Sequence, residues 1–287
     1  MSYRYDISVI IVSYNCLEPL KKCLASVNSQ GGASFEIIVV DNASSDGTPE
    51  FLQTQGFKKM LGSFNLGFGT AVNLANEKAD GKYLLILNPD TVLPVNTMTS
   101  LLEFAESGVD IGLICPMLVY PDGEAQLSAR NFPRFCDFLQ GRGSLLHKLG
   151  LTKEKNAGYI MPADNEPFKI PAVAATSIFI NNEFFRDLGG FDPRFFLYLE
   201  DIDLCRRIAA KGLNIWMLPA LKVKHNWRMS SKTRPYFSSF HHHLSVYRYY
   251  AKYNENRIVR KFALASFLSL GFVLSSIITL FERKRAK

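Results

Sequence analysis

Paired cysteines are missing from this chain. Its five, Cys16, Cys23, Cys115, Cys136 and Cys205, are odd in number, scattered and nowhere spaced as C-x-x-C. That pattern excludes a zinc ribbon and a disulfide framework and leaves reduced thiols, as in a cytoplasmic protein. A signal peptide is also lacking: residues 1–6 are polar and run straight into a strand-like segment, so the body of the protein is expected to stay in the cytoplasm. There is no internal repeat and no low-complexity tract. Acidic residues are scarce at one end. Residues 221–287 carry a net charge of +12, against −5 for the first 220. This split excludes a uniformly basic nucleic-acid binder and points a basic tail at anionic lipid or phosphate.

What is present fits one large α/β domain, or one domain plus a tail, in 287 residues. Residues 7–13, 36–41, 58–61, 83–87 and 111–117 are apolar runs of strand length. Between them, 17–28, 65–77 and 96–107 carry helical spacing or helix-start chemistry. Continuously apolar strands alternating with helices predict a mostly parallel sheet with helices on both faces. Ligands of such sheets bind at the carboxyl ends of the strands, where Asp41 and Asp90 stand. Pro121-Asp122-Gly123 predicts a hairpin turn. The region 130–167, with several Pro and Gly, predicts an irregular loop. Order returns with a strand over 170–181, a short helix over 183–188 stopped by Gly189-Gly190, a helix over 201–211 and a strand over 214–218.

Several residues carry two readings each. Asp41 suits either a bond to a nucleotide's base or ribose, or a turn cap. Gly67 and Gly69 at a helix start allow either an anion site or close helix packing. Asp90 in Asn88-Pro89-Asp90 suits Mg²⁺ or Mn²⁺, or a cap. Glu200-Asp201-Ile202-Asp203 complements a helix dipole, yet three acids beside Phe195-Phe196-Leu197-Tyr198 also make a general base with a raised pKa. His225 is either structural or a partner of Asp90 in a metal site. His241-His242-His243 cannot converge on one ion from a helix and is assigned to an aromatic, cationic surface with Tyr247, Tyr249 and Tyr250. Residues 262–281 hold no charge and are flanked by Arg257, Arg260, Lys261, Arg283, Lys284 and Arg285, which predicts a spanning or re-entrant helix first and an interfacial one second.

Taken in order, these stretches resemble the family 2 glycosyltransferases, in particular the bacterial rhamnosyltransferase-like branch. The carriers are 9–15 (VIIVSYN), 39–48 (VVDNASSDGT), 65–69 (NLGFG), 87–90 (LNPD), 189–192 (GGFD) and 195–207 (FFLYLEDIDLCRR). The resemblance implies a GT-A fold over 1–230, with a nucleotide-sugar-binding half, 1–117, and an acceptor and catalytic half, 118–230. A helical, membrane-associated tail, 231–287, follows. It implies Asp201 as catalytic base and Ser13, Asn15, Asp41, Asn65, Gly67, Asn88 and Asp90 around the donor. Glu200 and Arg206 would meet the acceptor, and Asp90 and His225 would hold Mg²⁺ or Mn²⁺. The metal motif has Asn88 where many members carry an acid. The activity implied is inverting transfer of a sugar, rhamnose from dTDP-rhamnose foremost, to a lipid-linked saccharide. That places it in cell-surface polysaccharide synthesis, at the cytoplasmic face of an anionic membrane and without nucleic acid. A UDP-sugar donor and an inactive membrane-docked binding module are the alternatives. A nucleotidyltransferase would need a glycine-rich, basic loop where Ser13-Tyr14-Asn15-Cys16 stands.

Overall fold

The computed structural model describes residues 3–108, 110–140, 146, 158–226, 235–254 and 256–285. The strands β1 (Tyr5–Ser13), β2 (Phe35–Asp41), β3 (Lys58–Leu61) and β4 (Gly81–Leu87) run parallel in the order β3-β2-β1-β4. They are joined through α1 (Leu17–Asn28), α2 (Thr48–Gln53) and α3 (Phe68–Asn76). Register sets Ser13 beside Asp41 and Ile11 beside Leu87, so three strands open on one edge of the sheet. The period of two along these strands divides the core. Ile10, Val12, Ile38 and Val40 face one layer, which includes Ala71, Val72 and Ala75 of α3. Val9, Ile11, Val39 and Leu85 face the other, which includes Leu20 and Leu24 of α1. Each such side chain contributes roughly 1.5–3 kcal/mol on burial.

After β5 (Thr91–Val92), α4 (Thr97–Ala105) and β6 (Ile111–Val119), the chain leaves the parallel pattern. The hairpin at Pro121-Asp122-Gly123 forms as expected, with the Tyr120 N–H bonded to the Glu124 carbonyl. The region expected as an irregular loop contains β7 (Ala129–Arg130), α5 (Phe135–Gln140) and β8 (Tyr159–Ile160); residues 141–145 and 147–157 lie outside the described residues. The single strand expected over 170–181 divides into the end of β9 (Phe168–Ile170), then β10 (Ala172–Val173) and β11 (Ser177–Asn181). β10 joins the small sheet β10-β7-β8, whereas β11 inserts between β4 and β6, antiparallel to both. The main sheet is therefore mixed. Helices α6 (Asn182–Asp187) and α7 (Glu200–Ala210) lead into β12 (Asn214–His225), parallel to β6 and antiparallel to β5 and β9.

The C-terminal region is α8 (Pro235–Tyr253) followed by α9 (Ile258–Arg285), and it departs from expectation in two ways. Tyr249 and Tyr250, assigned to a surface from sequence, are 1% and 3% exposed and join the core with Val246, Leu264 and Leu268. A helix-long stripe on α8 packs inward, which local aromatic content does not reveal. Nor is the spanning reading of 262–281 met: among the described residues no helix is long and apolar enough to cross a membrane. Ser266, Ser269, Ser275 and Ser276 dilute the run. Leu264 and Leu268 are already buried, while Val259, Phe262, Leu270, Val273 and Ile277 lie exposed along α9.

A buried carboxylate binds α8 to α7. Asp203, fully buried, accepts from Arg207 Nε at 2.9 Å, Tyr253 Oη at 2.7 Å and Lys252 Nζ at 2.5 Å. Lys252 also reaches Asp192 at 2.7 Å. Such an anion is stable inside protein only because cationic and hydroxyl donors replace its water. Asp203→Ala should lower unfolding stability by about 3–5 kcal/mol in urea titration, because it takes the acceptor from Arg207 Nε and Tyr253 Oη and leaves Lys252 with Asp192 alone. A loss below about 1 kcal/mol would mean that the network contributes little.

Candidate active site

The donor end is built where β1 and β2 finish. Asp41 is fully buried, and its Oδ2 accepts the Ser44 N–H at 2.9 Å. Its Oδ1 has no partner, so one buried acceptor stands ready for a ligand donor. Asn15, in the left-handed region at φ 50°, joins the loops after β1 and β2. Its N–H donates to Ser44 Oγ at 2.8 Å, and its Oδ1 accepts the Ser45 N–H at 2.7 Å. Ser13 lies beside Asp41 in register, with its Oγ 3.3 Å from Cys16 Sγ. Asn65 Oδ1 accepts the Gly67 N–H at 2.8 Å, and the Phe68 N–H goes to the Phe196 carbonyl at 3.2 Å. Two helix-start amides are thus already committed. Gly67 has φ 83° and ψ 169°, and a Cβ there would lie 2.3 Å from the Phe196 carbonyl oxygen. Close packing accounts for this glycine.

A second cluster forms where β4, β5 and β12 meet. Asp90 and His225 are 135 positions apart in sequence, yet Asp90 Oδ1 lies 3.4 Å from His225 Nε2, with both side chains buried. The pairing of Thr91 with His225 in β5 and β12 brings them together. Gln126 orients the imidazole. Its Nε2 donates to the His225 carbonyl at 2.7 Å, which leaves its Oε1 facing Nδ1 at 2.8 Å. Nδ1 therefore carries a ring proton, and the ring aims Nε2 at the Asp90 carboxylate. A carboxylate oxygen and an imidazole nitrogen at this spacing can share a divalent cation. Neighbouring ligands of an octahedral ion at about 2.1 Å lie about 3 Å apart, so the pair fits Mg²⁺ or Mn²⁺. Among the described residues no third His, Cys, Asp or Glu joins it, so the remaining ligands would be water and phosphate.

The third component is the start of α7. Tyr198 and Leu199 both take left-handed backbone, at φ 69° and 65°, and turn the chain sharply into Glu200 and Asp201. The C-terminal helix supports this turn: Ser245 Oγ donates to the Leu197 carbonyl at 2.8 Å, and His241 stacks on Phe196 at 4.2 Å. Asp201 Oδ1 accepts the Ile202 N–H at 2.7 Å and Oδ2 the Ala175 N–H at 3.3 Å. Burial raises the Asp201 pKa, opposed by these two amides and by the charge of Arg130. Burial, joined by the charge of Asp201, pushes Glu200 well up, and Glu200 Oε2 has no hydrogen-bond partner.

The loop before β11 connects the clusters. The Asn88 N–H donates to the Thr176 carbonyl at 2.8 Å, and the next residue back, Ala175, holds Asp201. The acids expected to meet, Asp90 and Asp201, therefore stand on the same sheet edge as Asp41, Ser13 and Asn88. Arg206 is drawn elsewhere: its guanidinium lies 4.2 Å from the Tyr253 ring centre and donates to Tyr249 Oη at 3.2 Å. Two residues escaped sequence reasoning, Gln126 and Arg130. The one available signal was the 121–123 turn, which returns the chain toward the edge.

A mixed sheet whose strand ends gather the buried Asp41, the facing Asp90–His225 pair and the half-buried Asp201 matches the framework expected of a nucleotide-sugar-dependent transferase. The family model for glycosyl transferase family 2 matches residues 8–187, and the chain belongs to that family. It is 28% identical over 260 residues to N-acetylglucosaminyl-diphospho-decaprenol L-rhamnosyltransferase of Mycobacterium tuberculosis, covering 85% of this chain and 83% of that protein. It is also 28% identical to rhamnosyltransferase WbbL of Escherichia coli, covering 85% of this chain and 92% of that protein. In fold it resembles GalNAc-T7 with UDP, GalNAc and Mn²⁺, at a TM-score of 0.59 and 19% identity; 93% of this chain spans 55% of that one. It also resembles the mannosyltransferase PcManGT of Pyrobaculum calidifontis with GDP-Man and Mn²⁺, at a TM-score of 0.58 and 16% identity, over 99% and 81% of the two chains.

Gly67→Ala forces a side chain into backbone geometry that glycine alone adopts readily, at a cost of about 1–3 kcal/mol before the clash with Phe196 is counted. Urea denaturation should register at least that loss. An unchanged midpoint would remove the packing role assigned to Gly67.

Proposed function

We propose that this glycosyltransferase works by inversion with a divalent cation. It moves a sugar, rhamnose from dTDP-rhamnose as the leading donor, to a lipid-linked saccharide in bacterial cell-surface polysaccharide synthesis. The observation that carries the proposal is one sheet edge holding the facing Asp90–His225 pair and a half-buried, partly desolvated Asp201. The names of the mycobacterial and Escherichia coli relatives support the donor sugar, and the former supports a diphospho-lipid acceptor.

Each residue has a defined task. Asp41 Oδ1 accepts a donor hydrogen from the base or ribose, with Ser13 and Asn15 shaping the pocket. Asp90 and His225 would hold Mg²⁺ or Mn²⁺, which would supply positive charge to offset that of the departing nucleoside diphosphate. Asp201 takes the proton of the acceptor hydroxyl as that oxygen bonds to the sugar's anomeric carbon and the carbon–oxygen bond to the diphosphate breaks. Burial and the charge of Asp201 push the Glu200 pKa well up, which suits it to donate a hydrogen bond to the acceptor rather than to attack the sugar. With one base and no carboxylate nucleophile, displacement is single and the configuration inverts.

Asp201→Asn should abolish transfer while donor affinity, measured by calorimetry, survives; near-full turnover would discard the base assignment. The working base must be deprotonated and its pKa is raised by burial, so kcat/KM should fall on acidification well before the ordinary carboxylate value of about 4 is reached. A flat profile down to that value would contradict the desolvated carboxyl.

Asp90→Ala should remove most Mn²⁺-dependent donor binding. Gln126→Leu, which frees the His225 ring, should weaken Mn²⁺ by about 10–100-fold. Calorimetry with and without Mn²⁺ reads both, and metal-independent binding in the parent protein would overturn the cation's role.

The same proposal places the protein on an anionic membrane surface. The exposed apolar stripe of α9, with Arg257 and Arg260 exposed at its start, supports an interfacial rather than a spanning helix. The full chain should co-float with vesicles containing phosphatidylglycerol and lose most of that binding in Phe262→Asp/Val273→Asp. Equal flotation of the double variant would exclude α9 as the contact.

A further inference from the structure

Arg130 is a cation with unfinished bonding next to the acids of the site. It ends the short strand β7, where it pairs with Ala172 of β10 on one side and Tyr159 of β8 on the other. Its guanidinium carbon lies 5.3 Å from the Tyr159 ring centre, which fixes the plane of the cation on an aromatic face. Its Nε is buried and has no hydrogen-bond partner, and among the described residues no carboxylate approaches it within salt-bridge distance. Asp201 is close enough to feel its charge, yet it accepts hydrogen bonds from the Ile202 and Ala175 amides and not from Arg130 Nε. A buried donor left unpaired is costly, so a site that retains one is short of an acceptor.

The chain path decides which substrate supplies that acceptor. The small sheet carrying Arg130 grows from the hairpin after β6 and from the segment leading into β11. The nucleotide pocket at Asp41 lies at the ends of β1 and β2, on the other side of β4. Arg130 thus approaches Asp201 from the half of the sheet opposite the nucleotide, the side left for the acceptor. A planar, permanently charged fork matches a phosphate better than a sugar hydroxyl.

We infer that Arg130 binds a phosphate oxygen of the acceptor, so that the acceptor's diphosphate linkage lies one sugar away from the hydroxyl that Asp201 deprotonates. This rests on the proposed transfer to a diphospho-lipid-linked saccharide and adds a specific demand. The chain selects acceptors whose first sugar is joined directly to phosphate, and Arg130 makes the selection.

The test uses the full chain with dTDP-rhamnose and two acceptors: farnesyl-diphospho-N-acetylglucosamine and octyl N-acetylglucosaminide, which lacks phosphate. Parent protein should favour the diphosphate acceptor. Arg130→Gln should cut the ratio of the two kcat/KM values at least tenfold, mainly through acceptor KM, with the donor KM held. Arg130→Lys, which keeps charge without the fork, should recover part of the ratio, and its thermal melt guards against a folding defect. An equal loss on both acceptors would reduce Arg130 to tuning Asp201 and overturn the inference, as would a loss confined to donor KM, which assigns the arginine to the donor's phosphates. No transfer by the parent protein to either acceptor would instead strike the proposed function, and the inference with it.

Discussion

The site depends on a buried anion that is not itself in it. Asp203 is enclosed at the first turn of α7, and its charge is balanced by Arg207 from the same helix and by Lys252 and Tyr253 from α8. Removing a carboxylate from water is costly enough that these donors must all be in place. That requirement fixes the angle between α7 and α8, and so the direction in which the acids three and two positions before Asp203 face. Glu200 and Asp201 therefore inherit their placement from a network one turn away. The strained backbone at Tyr198 and Leu199 is held from the same helix, through Ser245.

The consequence for the tail is structural as well as chemical. A region that composition marks as an appendage is part of the domain, because Tyr249, Tyr250, Leu264 and Leu268 complete the core on the face that α7 covers. The apolar surface left over on α9 faces away from that core. One helix pair thus packs against α7 and presents an apolar, basic-edged stripe outward.

The Asp90–His225 pair has a different logic. Its members come from segments far apart in the chain and meet 3.4 Å from each other. Gln126 uses both ends of its amide to hold the imidazole in that orientation. Asp41 Oδ1 and Arg130 Nε, both buried, keep unused bonding capacity at the same edge.

Much was legible in the chain alone. Apolar runs of strand length located β1 to β4 and β6, helix spacing located α1, and the strand-end positions of Asp41 and Asp90 marked the edge, because burial periodicity and turn chemistry are local properties. The ordered motifs also identified the family. What sequence could not determine was anything requiring distant segments to meet: the antiparallel insertion of β11, the inward face of α8, Gln126 under His225 and Arg130 beside Asp201. An apolar pentapeptide such as 177–181 has the same pattern in either direction, and a helix rich in tyrosine does not declare which side is wet. Those choices are made by packing and by the need to satisfy buried charge, and only the folded chain expresses them.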